Sequence, residues 1–141
     1  RGWGNRANYI TLNAVQTSAT HMSLFMYGGG HYRLRLDGFI SVHAAYEEGE
    51  FVTKPFIHAG RELEINYSTS GAGRIRVEVL TAAGQPIPGF SLDECREIYG
   101  DHIARTVKWN DSTDVSSFAG QPIRLRFVMN EADLYSLRFT E

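Results

Sequence analysis

ELEINYSTSGAGRIRVEVL, residues Glu62 to Leu80, alternates apolar and polar side chains on both sides of a run of small residues. Leu63, Ile65 and Tyr67 share one face of the first run, against Glu62, Glu64 and Asn66. Ile75, Val77 and Val79 share one face of the second, against Arg74, Arg76 and Glu78. A period of two means strands with one buried face. Antiparallel pairing follows, because parallel strands are usually covered on both faces and read as continuous apolar runs. STSGAG between the runs predicts a hairpin loop, which would set Glu62 and Glu64 across from Arg74 and Arg76.

The same alternation recurs along the chain. PIRLRFVM places Ile123, Leu125, Phe127 and Met129 against Arg124 and Arg126. Further strands are expected at Tyr9–Val15, Met22–Tyr27, Tyr32–Leu36, Phe39–Ala44, Glu50–Phe56, Arg105–Trp109 and Leu134–Phe139. Between them, YGGGHY (Tyr27 to Tyr32) suits a hairpin reversal, AAGQPIPG (Ala82 to Gly89) carries Gly and Pro as turn punctuation, and SSFAGQP suits one helical turn ended by Gly120. About ten strands without a long helix predict an all-β fold, a two-sheet antiparallel β-sandwich of jelly-roll type.

Composition is consistent with that. The 141 residues suit a single domain spanning 1–141, able to bury roughly two-thirds of its unfolded surface. A net charge of −2 offers no general attraction to nucleic-acid phosphates or anionic lipid. No apolar run is long enough to span a bilayer, and no signal peptide is read. The chain opens on Arg1 without an initiator methionine, as expected of a processed protein or a module of a larger chain.

One segment stands apart: GFSLDECREIYGDHIARTVKW, Gly89 to Trp109, which crowds four carboxylates around the single cysteine, Cys95. Asp93, Glu94, Glu97 and Asp101 admit several readings. Paired carboxylates at the right separation perform glycosidic acid/base chemistry. Asp93 and Asp101 are calcium candidates, since Ca²⁺ takes oxygen ligands. The structural alternative is a short helix over SLDECREIYG, capped by Ser91 with Glu94 three residues on and ended by Gly100. Free cysteine usually behaves as a small buried apolar group. The five histidines, including His43 and His58 near strands, show no metal-ligand spacing, and no GxSxG elbow occurs. Arg33, Arg35, Arg124 and Arg126 are candidates for holding an acidic ligand on a sheet face, with cross-strand charge pairing as the structural alternative.

Flat rings stack on the apolar faces of sugars while carboxylates, Asn and Arg take the hydroxyls. Trp3, Tyr32, Tyr46, Tyr99 and Trp109 are the rings not assigned to core alternation. Trp109 alternatively faces inward at the end of a strand. Tyr99, Asp101, Trp109 and Arg96 form the expected carbohydrate-binding set.

The segments LRLDGFISVHA, FVTKPF, LEINYSTSGAGRIRVEVL, GQPIPGFSLDECREIYGDHIARTVKW and AGQPIRLRFVMNEADLYSLRF together add a resemblance. They resemble the C-terminal β-sandwich modules of bacterial proteins related to five-bladed-propeller glycoside hydrolases, the clan of sucrose- and arabinan-cleaving enzymes. The resemblance runs from about Arg33 to Phe139. The earlier piece NAVQTSATHMSLFMY looks like the segment that closes the last propeller blade, so residues 1–32 are either a blade remnant or part of the sandwich. The resemblance implies a non-catalytic accessory module of an exported bacterial enzyme, extracellular or periplasmic; beyond the calcium candidates, no cofactor is expected. Its partners would be a polysaccharide or oligosaccharide and a neighbouring catalytic domain. The alternatives are a domain that only supports that neighbour, and an independent hydrolase using the carboxylates of 93–101.

Overall fold

The computed structural model describes residues 13–27 and 29–141; of the expected strand Tyr9–Val15, positions 9–12 lie outside them. Nine strands are present among the described residues: β1 (Val15–Gln16), β2 (His21–Phe25), β3 (His31–Arg35), β4 (Val42–Ala44), β5 (Gly49–Val52), β6 (Phe56–Ile57), β7 (Glu62–Thr81), β8 (Asp101–Thr106) and β9 (Pro122–Thr140). All ladders are antiparallel. The nearly all-β antiparallel architecture expected from the alternation is therefore present, in two sheets. The only helical element described is one 3₁₀ turn, Ser116–Phe118, which ends before Gly120 as its sequence predicts.

The chain divides into two compact units between Ile40 and Ser41, beyond the glycine run at 28–30. In the first unit, β1, β2 and β3 form a meander. Its β2–β3 hairpin pairs Phe25 with His31, and their rings stack at 4.9 Å. The Ser23 hydroxyl is buried there and bonds Thr17 Oγ1 at 2.8 Å and His31 Nε2 at 2.9 Å.

The second unit is organised by β7 and β9, 20 and 19 residues long. Glu62–Leu80 does not fold into the expected hairpin. Both alternating runs instead belong to one strand, and both pair with β9, from Glu62 opposite Thr140 to Thr81 opposite Ile123. The small residues form a bulge, not a turn: the register shifts between Thr69 and Arg74 opposite Ala132 and Asn130. Bulges bend a ribbon and raise its twist while pairing continues on either side. Inner faces from both sides of the bulge enter one core: Leu63, Ile65 and Tyr67 from the first run, Ile75, Val77 and Val79 from the second.

The inward parity of β9 changes to match. Ile123, Leu125, Phe127 and Met129 face the core, and Ala132 and Leu134 follow in the opposite phase. Glu131 absorbs the change with a φ of 42°, a left-handed conformation uncommon for a residue with a side chain. Gly73 lies against it. A Cβ there would meet the Glu131 carbonyl oxygen well inside contact distance and the Asn130 carbonyl oxygen at 2.8 Å. Only a glycine lets the two backbones approach so closely.

The charged faces pair differently from the hairpin expectation. Arg138 holds Glu64, with its Nε at 2.7 Å. Arg126 bridges Glu50 and the buried Glu78, and Arg74 reaches Glu48 at 3.3 Å and Glu97 at 3.7 Å. Arg124 donates to the carbonyls of Ala82 and Thr53. Arg124 and Arg126 thus already have partners within the fold.

The expected strand Glu50–Phe56 is split into β5 and β6 around Lys54 and Pro55, since proline cannot donate to a ladder. After β6, His58 is buried with its ring stacked on Phe139 at 4.0 Å, and neither ring nitrogen makes a well-formed hydrogen bond. Burial lowers its pKa, with the Ala59 backbone opposing weakly. Below about pH 6.5 the unfolded chain takes up a proton that the folded chain resists, so this histidine lowers stability as the pH falls.

The close approach at the bulge gives a direct check. Gly73→Ala is expected to cost about 1–3 kcal/mol in denaturant unfolding, as overpacking against backbone does. Gly71→Ala, two residues away with nothing within 4 Å of a new Cβ, is expected to stay within roughly 0.5 kcal/mol.

Candidate functional site

The carboxylate-rich segment is a corner built to close the core. Its expected helix is a single turn: the amides of Glu94 and Cys95 donate to the Ser91 carbonyl at 3.2 and 3.0 Å. The reciprocal half of the cap forms as the sequence suggests. The Glu94 carboxylate accepts from the Ser91 amide at 3.1 Å and its hydroxyl at 2.8 Å, and these bonds hold its pKa below the usual range. The chain then leaves the helical path because Cys95 and Ile98 pair with Trp109 and Ile75 in isolated bridges. Cys95 is buried, its sulfur accepts from the Val77 amide at 3.2 Å, and burial pushes its thiol up to about 11.

The four residues expected to bind sugar are distributed over unlike positions. Trp109 is 1% exposed, its ring packs against Phe90 at 5.3 Å, and its indole N–H donates to the Val77 carbonyl at 2.8 Å. It is a core residue, and no ligand can stack on it. The physical reason is an internal acceptor for its one polar atom, which lets the whole ring leave water. Arg96 braces the same corner, donating from Nε to the Asn110 carbonyl at 2.8 Å and pairing with Asp111. Tyr99 is 72% exposed, and its carbonyl accepts from the Tyr67 hydroxyl at 2.8 Å. Asp101 opens β8 opposite Ser68 and is exposed. Asp93 is exposed as well, and among the described residues no three His, Cys, Asp or Glu side chains converge as a metal group.

Tyr99 and Asp101 adjoin a different feature. The Gly100 between them exchanges bonds with Thr69, its carbonyl accepting from the Thr69 amide at 2.8 Å and its amide donating to Thr69 Oγ1 at 3.0 Å. Thr69 is one wall of a groove of about 400 Å³, whose other contributors include His43, Tyr46, Ser68, Ser70, Glu131 and Asp133.

The bulge builds this groove. The Glu131 amide donates to the Ala45 carbonyl at 2.8 Å, and the Asn130 side-chain amide donates to the Tyr46 carbonyl. Together these bonds hold the loop after β4 and present Tyr46, 82% exposed, at the rim. The Ser70 hydroxyl donates to the Glu131 carboxylate across the bulge. In register with β9, His43 of β4 sits opposite Asp133. Asp133 Oδ1 accepts from Ser41 Oγ at 2.7 Å and faces His43 Nδ1 at 3.1 Å.

No protein-family model, curated protein or solved structure matches this chain. The chemistry of the groove is therefore read from its own side chains. Two carboxylates, three hydroxyls, an imidazole and an exposed phenol ring supply acceptors, donors and a flat apolar surface within one concavity. The serine–aspartate–histidine contact is not a nucleophilic triad. Asp133 lies between Ser41 and His43, so the imidazole orients on the carboxylate and is not bonded to the hydroxyl it would have to deprotonate.

Sequence reasoning singled out His43 and Tyr46 but did not join them to Asp133 and Glu131. The signal was present in MNEADL: the apolar phase slips between Met129 and Ala132, which marks a bulge and places both carboxylates beside it.

The corner's cysteine provides a check on its structural role. The native protein at pH 8 is expected to leave Cys95 unmodified by a thiol-disulfide reagent over hours, with one thiol titrating at once in denaturant. Rapid labelling of the native protein would contradict the burial.

Proposed function

We propose that this chain is a non-catalytic carbohydrate-binding β-domain associated with an exported glycoside hydrolase, and that it binds sugar in the groove beside the β7–β9 bulge. The observation that carries this reading is the exposed Tyr46 ring at the rim of a groove holding Asp133, Glu131, His43 and Ser70. Sugar recognition calls for an aromatic surface next to a few convergent hydrogen-bonding groups. Glu131 and Asp133 accept hydroxyl protons, and their geometry is already set by Ser70, Ser41 and His43. Preset acceptors lose little conformational entropy on binding.

In this reading the expected set is revised. Tyr46, His43, Asp133 and Glu131 replace Trp109 and Arg96 as ligand contacts, while Asp101 and Tyr99 flank the groove through Gly100 and Thr69. Catalysis belongs to a neighbouring domain. A purely supporting role on such a neighbour draws on the exposed Val52 and Ile57 of β5 and β6, and it predicts no response to any polysaccharide.

Affinity electrophoresis in gels containing arabinan, levan, xylan or polygalacturonate separates the two. The wild-type chain is expected to be retarded by at least one polymer. Tyr46→Ala and Asp133→Ala are each expected to weaken that retardation about tenfold, ~1.4 kcal/mol, with melting temperatures near wild type. Unretarded migration in all four gels would remove the binding role and leave the supporting one.

A further inference from the structure

The groove is one part of a longer polar track. The ladders of the second unit align four strands in one row: His43 of β4 opposite Asp133 of β9, Asp133 opposite Ser68 of β7, and Ser68 opposite Asp101 of β8. Directly paired residues on antiparallel strands project to the same face of a sheet. Tyr67, next to Ser68, is fully buried, so this shared face is the outer one. His43, Asp133 and Ser68 line the groove, and Asp101 extends the same row one strand beyond it. Three strand spacings separate the ends of the row, about 14 Å. That distance exceeds one sugar ring, so a ligand touching both ends is several residues long. The row also runs across the strands, which gives the ligand its direction.

We propose that the ligand is an extended polysaccharide chain lying across β4, β9, β7 and β8, with Tyr46 contacting one end of the bound stretch and Asp101 the other. This rests on the sugar-binding reading of the groove and adds to it the form of the ligand: an internal stretch of chain, not a single residue or a chain end. Asp133 and Ser68 take the middle of the stretch. The Ser68 hydroxyl is already oriented by the Tyr135 hydroxyl at 3.2 Å, and Asp133 by Ser41 and His43. Asp101 contributes only to ligands long enough to reach it, so its role separates from that of Tyr46 by ligand length.

Isothermal titration of the intact chain with arabinan-, levan-, xylan- and polygalacturonate-derived oligosaccharides, from disaccharide to octasaccharide, tests this. Affinity is expected to climb with length and then level off once the row is spanned. Asp101→Ala is expected to weaken octasaccharide binding about three- to tenfold, the effect of one or two hydrogen bonds, and to leave the disaccharide unchanged. Tyr46→Ala is expected to weaken both. Should Asp101→Ala lower the melting temperature, Asp101→Val, which suits a strand and offers the ligand no hydrogen-bond acceptor, provides the same comparison. Length-independent affinity, or octasaccharide binding indifferent to both Asp101 variants, would overturn the extended-chain inference and leave the groove as a sugar site. Absence of binding by every oligosaccharide and parent polymer would overturn the sugar reading with it.

Discussion

The close passage of Gly73 over the Glu131 carbonyl is the constraint on which the second unit depends. It allows β7 and β9 to remain paired on both sides of a bend, so one ribbon supplies inner faces from both of its halves to a single core. A side chain at 73 would force the backbones apart, and the phase change between Met129 and Ala132 would lose its geometric basis. Pairing two long strands satisfies the backbone groups on their shared edge, and the outer edges need further strands. The remaining strands add at the ribbon's edges: β4, β5 and β6 along β9, and β8 along β7.

The same bulge couples fold to function. Glu131 is displaced from the ladder, and the backbone group so freed bonds the loop after β4, while its carboxylate faces Ser70. Asn130 fixes the neighbouring peptide of that loop. Tyr46, Glu131 and Ser70 thus come together because one extra stretch of β7 has to be accommodated. Bulges often re-aim side chains in this manner, and a site placed on paired strands is held more firmly than one placed on a free loop. A left-handed glutamate at the centre of a polar groove is the kind of local strain that a surrounding network must hold in place.

Much of the fold was legible in the sequence because burial on one face imposes a period of two. The inward positions 63, 65, 67, 75, 77, 79, 123, 125, 127 and 129 were all readable. STSGAG misled because small residues permit a bulge as readily as a turn, and only the partner strand distinguishes them. Trp109 was misread as a ligand ring although Val107 and Trp109, just beyond β8, alternate inward into the core. Its flat ring suggested sugar stacking, but Val77 accepts from the indole nitrogen inside, so the whole ring is buried. The Ser91–Glu94 cap forms as its residues suggest, but the short helix expected to run on to Gly100 stops after one turn, since bridges to Trp109 and Ile75 outweigh local propensity. The groove itself was hidden: His43 and Asp133 are 90 residues apart, and their meeting depends on long-range register.

The central claim is that both halves of Glu62–Thr81 pair with β9 and not with each other. Cross-strand nuclear Overhauser contacts in the backbone of the isotope-labelled protein test it most directly. The account predicts contacts joining Thr69 to Ala132, Arg74 to Asn130 and Val77 to Phe127, on either side of the bulge. Contacts joining Glu64 to Arg76 across a hairpin loop at 68–73 would contradict it and dissolve the groove with it.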